Sequence, residues 1–298
     1  KIPQASGWLK DDFSLRVYLK DPRRMETLSY QTFKSQTQSQ KTSVVIQEDD
    51  TAETFSSQEP LTKQPKILII IPAYNEEKNI GSVLEDIQKQ SLGFPILVIN
   101  DGSSDNTEKI ALEHNAEVIS LPYNSGYGVA LQTGFLYAAK NNFSIVVQMD
   151  SDGQHDPENI KDLLEEIQKE NCDVVIGSRF LSAASYKTSL ARHAGMLLFG
   201  NIASLICGQK VTDPTSGFQA LKGRAIQFAA SDNYPPDYPD ADFIILMKRC
   251  GFKIKEIPVT MHASPEKESM HHGHKTIYYV FKMFLSIFVT LLRKSPKR

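Results

Sequence analysis

From Lys66 onward the chain repeats one pattern four times: an apolar run, a polar loop marked by Gly, Pro or acids, then a stretch with helical spacing. The runs are Ile67-Leu68-Ile69-Ile70-Ile71, Ile96-Leu97-Val98-Ile99, Glu117-Val118-Ile119-Ser120 and Ile145-Val146-Val147-Gln148-Met149. Unbroken β-branched runs of this kind belong to strands covered on both faces, and Pro72 is expected to stop the first of them. Between the runs, Ile80, Val83, Leu84 and Ile87 recur at the spacing of one helix face, Thr107 to His114 reads as a second helix, and a third extends through Ala139. Such alternation folds as an α/β domain with a mostly parallel central sheet and helices on both faces. Ligands of these sheets bind beyond the C-terminal ends of the strands. All four polar loops fall on that edge: Ala73-Tyr74-Asn75-Glu76, Asn100-Asp101-Gly102-Ser103-Ser104-Asp105, Asn124-Ser125-Gly126-Tyr127-Gly128 and Asp150-Ser151-Asp152-Gly153-Gln154-His155.

The last of these loops carries the sharpest chemistry. Residues i and i+2 of an extended segment face the same way, so Asp150 and Asp152 can reach one hard divalent cation. Mg²⁺ or Mn²⁺ suits such oxygen ligands and leaves room for substrate phosphates. Taken alone, Asp-Ser-Asp-Gly also reads as a polar turn after a strand. Its neighbours favour a site: an aromatic beside an acid at the first strand end, an acid at the second and the carboxylate pair at the fourth could take base, ribose and metal-diphosphate. Neither G-x-x-x-x-G-K-[ST] nor G-x-G-x-x-G follows the first strand, which leaves neutralisation of a diphosphate to the metal.

Composition narrows the field. A chain of 298 residues with 41% hydrophobic content can bury a full core. Its formal charge of −2 lacks the basic footprint that nucleic-acid binding needs. Cys172, Cys207 and Cys250 are odd in number and outside any zinc-ligand pattern, as expected of half-buried thiols in a reducing cytosol. Residues 1–65 are rich in Gln, Ser, Thr, Lys and acids, with scattered anchors such as Trp8, Phe13 and Tyr18. They read as a poorly ordered extension, in which Val44-Val45-Ile46 could be one short strand.

Beyond the fourth strand, Pro157 to Lys169 is expected to be a helix with Pro in its first turn. Val174-Val175-Ile176-Gly177-Ser178-Arg179 is a fifth strand ending on an arginine, and Leu190 to Gly208 is a largely apolar helix carrying Arg192 and His193. Thr212 to Gln219 is a loop of small hydroxyls and Gly that suits close approach of backbone to ligand. Asp240 and Asp242 open a helix over Phe243 to Cys250, where acids also belong on dipole grounds alone. Residues 263–298 form a third region, whose stretch Thr276 to Leu292 is apolar nearly all round, with only Lys282, Ser286, Thr290 and Arg293 as a polar stripe. With the basic flank Arg293, Lys294, Lys297 and Arg298, it reads as a helix lying in a membrane interface. The other reading is a helix packed on its own domain or on a second subunit, giving a possible homodimer.

The core from about Lys66 to Arg293 resembles family 2 glycosyltransferases of GT-A fold, in the branch that includes dolichol- and polyprenol-phosphate sugar synthases. Six segments carry the resemblance in order: Ile71-Pro72-Ala73-Tyr74-Asn75-Glu76, Asn100 to Asp105, Asn124 to Gly128, Asp150 to His155, Gly177-Ser178-Arg179-Phe180 and Asp213-Pro214-Thr215-Ser216-Gly217-Phe218. The resemblance implies that Pro72, Ala73, Tyr74 and Glu76 contact the nucleoside and Asp101 the base. It implies that Asp150, Asp152 and Gln154 hold the metal, and that Arg179 and Arg192 face the acceptor or its phosphate. The implied reaction is a single in-line displacement that inverts the anomeric carbon of a nucleotide-diphosphate sugar. A lipid phosphate acceptor is already anionic and needs no general base. A saccharide or glycolipid hydroxyl does, and Asp213, Asp240 and Asp242 are then the candidates. Polyprenyl phosphate at the cytoplasmic membrane face is the expected acceptor, with a nucleotide-binding scaffold that has lost activity as the rival from another class. The chain departs from the group's pattern in having Ser264-Pro265-Glu266-Lys267-Glu268, without Arg, ahead of Ser269-Met270-His271. Lys267, His271 or His272 could substitute there.

Overall fold

The structure is a computed structural model that describes residues 14–18, 25–29, 65–169, 172–181, 190–235, 237, 239–262 and 274–292. Among them nine strands form one sheet in the order β2-β1-β5-β4-β3-β6-β8-β7-β9. The central parallel strands are β3 (Ile67–Ala73), β4 (Ile96–Asn100), β5 (Glu117–Ser120) and β6 (Ile145–Gln148). Joining them are α1 (Ile80–Lys89), α2 (Thr107–Glu113) and α3 (Tyr127–Lys140). The chain steps outward from β3 to β4 to β5, then returns to place β6 on the other side of β3. The order therefore reverses between β3 and β6, and the loops leaving these two strands flank the crevice that such a reversal opens.

Pro72 does not stop its strand. Ile70 O accepts from Met149 N on the β6 side, and Ala73 O accepts from Asp101 N on the β4 side. Pro72, two residues after Ile70, turns its amide position toward β6, whose pairing has already ended at Gln148. No ladder bond is lost, so the strand continues to Ala73.

Past β6, a single 3₁₀ turn at Pro157–Asn159 leads into α4 (Ile160–Gln168), followed by β7 (Val174–Ser178) and α5 (Leu190–Cys207). The loop expected over Thr212 to Gln219 runs into a strand, β8 (Gln219–Lys222), which lies antiparallel between β6 and β7. Then come α6 (Arg224–Ala229), α7 (Ala241–Arg249), β9 (Ile254–Pro258), parallel to β7, and α8 (His274–Leu292). Alternate residues of each strand serve opposite faces. Leu68, Ile70, Leu97, Ile99 and Val146 pack with α3, α5, α6, α7 and α8, whereas Ile67, Ile69, Ile71, Val98 and Val147 pack with α1 and α4.

Within the first 65 residues two strands form, β1 (Ser14–Tyr18) and β2 (Met25–Ser29). They pair antiparallel with each other, and β1 pairs antiparallel with β5 through Arg16, Val17 and Tyr18. The segment Val44-Val45-Ile46 lies outside the described residues, as do Lys267, His271 and His272.

Lys282, Ser286 and Thr290 of the polar stripe of α8 meet the domain. Lys282 Nζ lies 2.8 Å from Asp237 Oδ2, Ser286 Oγ donates to Asp242 Oδ2, and Arg249 donates to the Thr290 carbonyl. Met283 and Ile287 are buried beside these contacts, and Phe284 meets Phe199 of α5 at 5.2 Å between ring centres. Leu285, Phe288, Val289 and Leu292 are exposed, together with Leu197, Leu198 and Leu205 of α5. Among the described residues no helix is long and apolar enough to cross a membrane.

Candidate active site

The loops after β3 and β4 are built as one unit. Asn75, at φ 54°, donates its N–H to Ser103 Oγ at 2.9 Å and accepts from Ser104 N at 2.9 Å. Glu76 N donates to Thr107 Oγ1 at 2.8 Å, and Glu77 N to Asp105 Oδ2 at 3.0 Å. The Glu76 carboxylate accepts from Asn79 Nδ2 at 2.8 Å, which turns it back over the start of α1. Tyr74 stands at the rim with 47% of its surface exposed, an open aromatic face beside the crevice. Pro72 and Ala73 precede it as the buried last residues of β3.

Asp101 is buried, and its two oxygens accept from Ser125 N at 2.7 Å and Gly126 N at 2.9 Å. Burial pushes its carboxyl up from the ordinary value, against the pull of those two amides. It thus ties the loop after β5 to the end of β4. Gly102 permits this approach: it has φ +69°, and a Cβ there would meet the Tyr123 carbonyl carbon at 2.4 Å.

Asp150 and Asp152 follow β6 directly. Tyr127 Oη donates to Asp150 Oδ1 at 2.7 Å, and Asp150 N donates to His155 Nδ1 at 3.0 Å. That bond leaves the His155 proton on Nε2, which lies 3.5 Å from Asp150 Oδ2. His155 itself is buried and stacks on Phe218 at 4.9 Å. Asp152 accepts from Gln154 N at 3.0 Å and from Gln154 Nε2 at 2.5 Å. Burial, then the charge of Asp150, raises the Asp152 carboxyl above its ordinary value. Two mutually repelling carboxylates with hard oxygen donors fit a divalent cation, which would relieve that repulsion. Gln154 spends its amide nitrogen on Asp152, so a ligand role there falls to its oxygen. Among the described residues no three or more His, Cys, Asp or Glu side chains are gathered as a metal cage.

Arg179 and Asp213 form a buried pair. Arg179 Nε and Nη2 reach the Asp213 oxygens at 2.6 and 2.5 Å, and Arg179 N adds a third bond at 3.0 Å. Asp213 N and Thr212 N in turn donate to Glu256 of β9 at 2.9 and 2.8 Å. Asp242 is also buried, bound to Ser286 and to Phe243 N at 2.9 Å. Asp240 stands at the N-terminus of α7. Between α7 and Asp150 lies Tyr234, whose phenol is raised well above its ordinary value by burial, then by the charges of Asp242, Asp240 and Asp150. The fold therefore brings Asp101, Asp150, Asp152 and Gln154 to one crevice, and the charges of Asp240 and Asp150 both act on Tyr234. Asp213 and Asp242 are buried and hydrogen-bonded, the first to Arg179 and the second to Ser286 and Phe243 N. The side chain of Arg192 lies outside the described residues.

The family model described as Glycosyl transferase family 2 matches residues 68–234. The chain belongs to this family. A UDP-N-acetylglucosamine--dolichyl-phosphate N-acetylglucosaminyltransferase of Methanococcus voltae is 32% identical over 212 residues, covering 65% of this chain and 84% of that one. A polyprenol monophosphomannose synthase of Mycolicibacterium smegmatis is 27% identical over 220 residues, covering 70% and 82%. Among solved structures, glucosyl-3-phosphoglycerate synthase from Mycobacterium tuberculosis, in complex with Mn²⁺, UDP and phosphoglyceric acid, superposes with a TM-score of 0.57. It is 22% identical and covers 77% of this chain and 78% of its own. The shared fold is the GT-A fold, and this family 2 member is a glycosyltransferase.

Three further residues stand beside Asp150 in this family 2 crevice: Tyr127, within a loop motif of the sequence, and Gln148 and Gly217, within a strand and a turn. Tyr127 meets Asp150 across 23 positions and Gln148 across 21, and Gly217 lies against both Asp150 and Tyr127. No local pattern announces contacts at such separations. The available signal was a polar Gln148 inside an apolar strand, since a buried carboxamide needs a partner.

Proposed function

We propose that this chain transfers a sugar from a nucleotide-diphosphate donor to a polyprenyl phosphate, with inversion and with a divalent metal, at a membrane face. The nucleoside rests on Pro72, Ala73 and Tyr74, with Glu76 and Asp101 shaping the loops around it. Asp150, Asp152 and the Gln154 oxygen hold Mg²⁺ or Mn²⁺, a reading supported by the structural relative, which was solved with both Mn²⁺ and UDP. When bound, the cation supplies charge stabilisation to the diphosphate leaving group. Arg179, braced by Asp213, and Arg192 orient the acceptor phosphate.

The observation that carries the acceptor class is that two of the three candidate carboxylates, Asp213 and Asp242, are held by other groups. Asp213 has both oxygens on Arg179, and Asp242 is bound to Ser286 and Phe243 N. A hydroxyl acceptor needs a carboxylate to take its proton, whereas a phosphate monoester arrives as an anion. The names of the relatives point the same way. Helix α8 supports a membrane position: among its described residues Lys282 and Ser286 bind the domain, whereas Leu285, Phe288, Val289 and Leu292, with Leu197, Leu198 and Leu205 of α5, are exposed. An apolar face of that kind fits lipid, and a second copy of the chain is the competing occupant.

The test supplies UDP- and GDP-sugars with Mn²⁺ and either polyprenyl phosphate or a saccharide, and measures released nucleoside diphosphate. Turnover is expected with the lipid phosphate and is expected to survive Asp242→Asn. Turnover with hydroxyl acceptors alone, lost in Asp240→Asn, would replace this reading.

A further inference from the structure

Asp150 is gripped from more than one side. Besides the 2.7 Å bond from Tyr127 Oη, its own N–H is held by His155, whose Nε2 faces the other carboxylate oxygen. Gln148 Nε2 donates to Tyr127 Oη at 3.2 Å. A phenol that accepts from Gln148 has its own proton left for Asp150, so the direction of the chain Gln148 to Tyr127 to Asp150 is fixed. Gly217 leaves the space for this arrangement. A Cβ there would lie 2.7 Å from Asp150 Oδ2 and 2.8 Å from Tyr127 Oη.

Tyr127 is also the first residue of α3, directly after Ser125 and Gly126, whose amides bind Asp101. One short segment therefore touches the acid at the end of β4 with its backbone and the acid at the end of β6 with its first side chain. Gly128 N adds an anchor to the Asp237 carbonyl at 2.6 Å. Nothing in ordinary packing requires this, since a phenylalanine ring would fill the same volume.

We infer that Tyr127 is a positioning residue that aims the Asp150 carboxylate and locks the metal half of the site to the loop held by Asp101. The inference rests on the proposed role of Asp150 as a metal ligand. Outer partners of this kind set the orientation of a ligand before the ion arrives, and their loss typically weakens metal binding about 10- to 100-fold.

The experiment titrates Mn²⁺ into the full chain, with and without UDP, and follows the paramagnetic resonance signal of unbound Mn²⁺. Tyr127→Phe is expected to weaken Mn²⁺ binding by roughly tenfold or more, with an unfolding temperature near that of the wild type and a fall in kcat larger than any rise in donor KM. Gln148→Met, which removes only the bond that orients the phenol, is expected to weaken it less. Tyr137→Phe serves as the control: this tyrosine of the same helix donates its hydroxyl to Glu117 of β5 at 2.6 Å, away from the site, so the variant should lose stability and keep Mn²⁺ affinity. Asp150→Asn reports on the underlying reading. Wild-type Mn²⁺ affinity and kcat in Tyr127→Phe, alongside a defective Asp150→Asn, would overturn the inference and leave the metal site standing. Undiminished Mn²⁺ binding in Asp150→Asn would overturn both.

Discussion

Arg179 and Asp213 are a buried pair in which each charge is met by the other. Asp213 is fully buried and Arg179 is 7% exposed, so neither charge is solvated and each depends on the other. Removing one partner of a buried pair leaves an uncompensated charge, which costs about 3–5 kcal/mol. Asp213→Ala is therefore expected to lower the urea midpoint sharply, with turnover falling as the folded fraction falls. A variant that folds as well as the wild type yet has lost turnover with hydroxyl acceptors would instead make Asp213 a general base.

The junction of α7 and α8 works at the scale of elements. Asp242 opens α7 and accepts from Ser286 of α8, while Arg249 at the far end of α7 donates to the Thr290 carbonyl. The two helices are thus joined at both ends of α7. Burial raises the Asp242 carboxyl above its ordinary value, against the pull of the Ser286 and Phe243 donors. A raised carboxyl binds its proton more tightly folded than unfolded. Its contribution is complete below the unfolded pKa and is lost as pH rises through the folded one. Asp242→Asn keeps an acceptor for Ser286 and cannot ionise. It is expected to match or exceed wild-type stability at neutral pH, to gain nothing in acid, and to flatten the slope above the ordinary carboxylate range. Urea unfolding across that range checks it, and an unchanged slope would place the sensitivity elsewhere. The helix pattern was legible here, but its orientation was not. A polar stripe on an apolar helix is expected to face water, and the partners that turn it inward, Asp237, Asp242 and Arg249, lie more than 40 residues away.

For the whole molecule, the largest exposed apolar side chains of α8 and α5 include Phe288, Leu292 and Leu205. Phe288 is 58% exposed and Ile287 is 4% exposed on adjacent positions of α8. Phe288→Glu is expected to abolish cosedimentation with anionic vesicles while leaving thermal unfolding near wild type. Ile287→Ala is expected to cost about 2–5 kcal/mol of stability. Vesicle binding that survives Phe288→Glu, with a loss of dimer on a sizing column, would assign the face to a second copy. At the other end of the sheet, β1 covers the edge of β5 and leaves β2 as the edge strand, which shields a pairing surface that would otherwise be open.

The runs of β-branched residues and the acids that end them are local facts, and they were enough to determine an α/β sheet and to put Asp150 and Asp152 directly after its strand β6. Strand and helix periods are set by neighbours in the chain, so sequence carries them. Which acid is available for chemistry depends on partners brought from afar. Asp213 is taken by Arg179 34 residues away, Asp101 by Ser125 and Gly126 24 and 25 residues on, and Asp150 is oriented by Tyr127 23 residues before it. The antiparallel β8 and the strand β1 were decided in the same way, by register against strands distant in sequence, because pairing energy resides in the ladder and not in the segment alone.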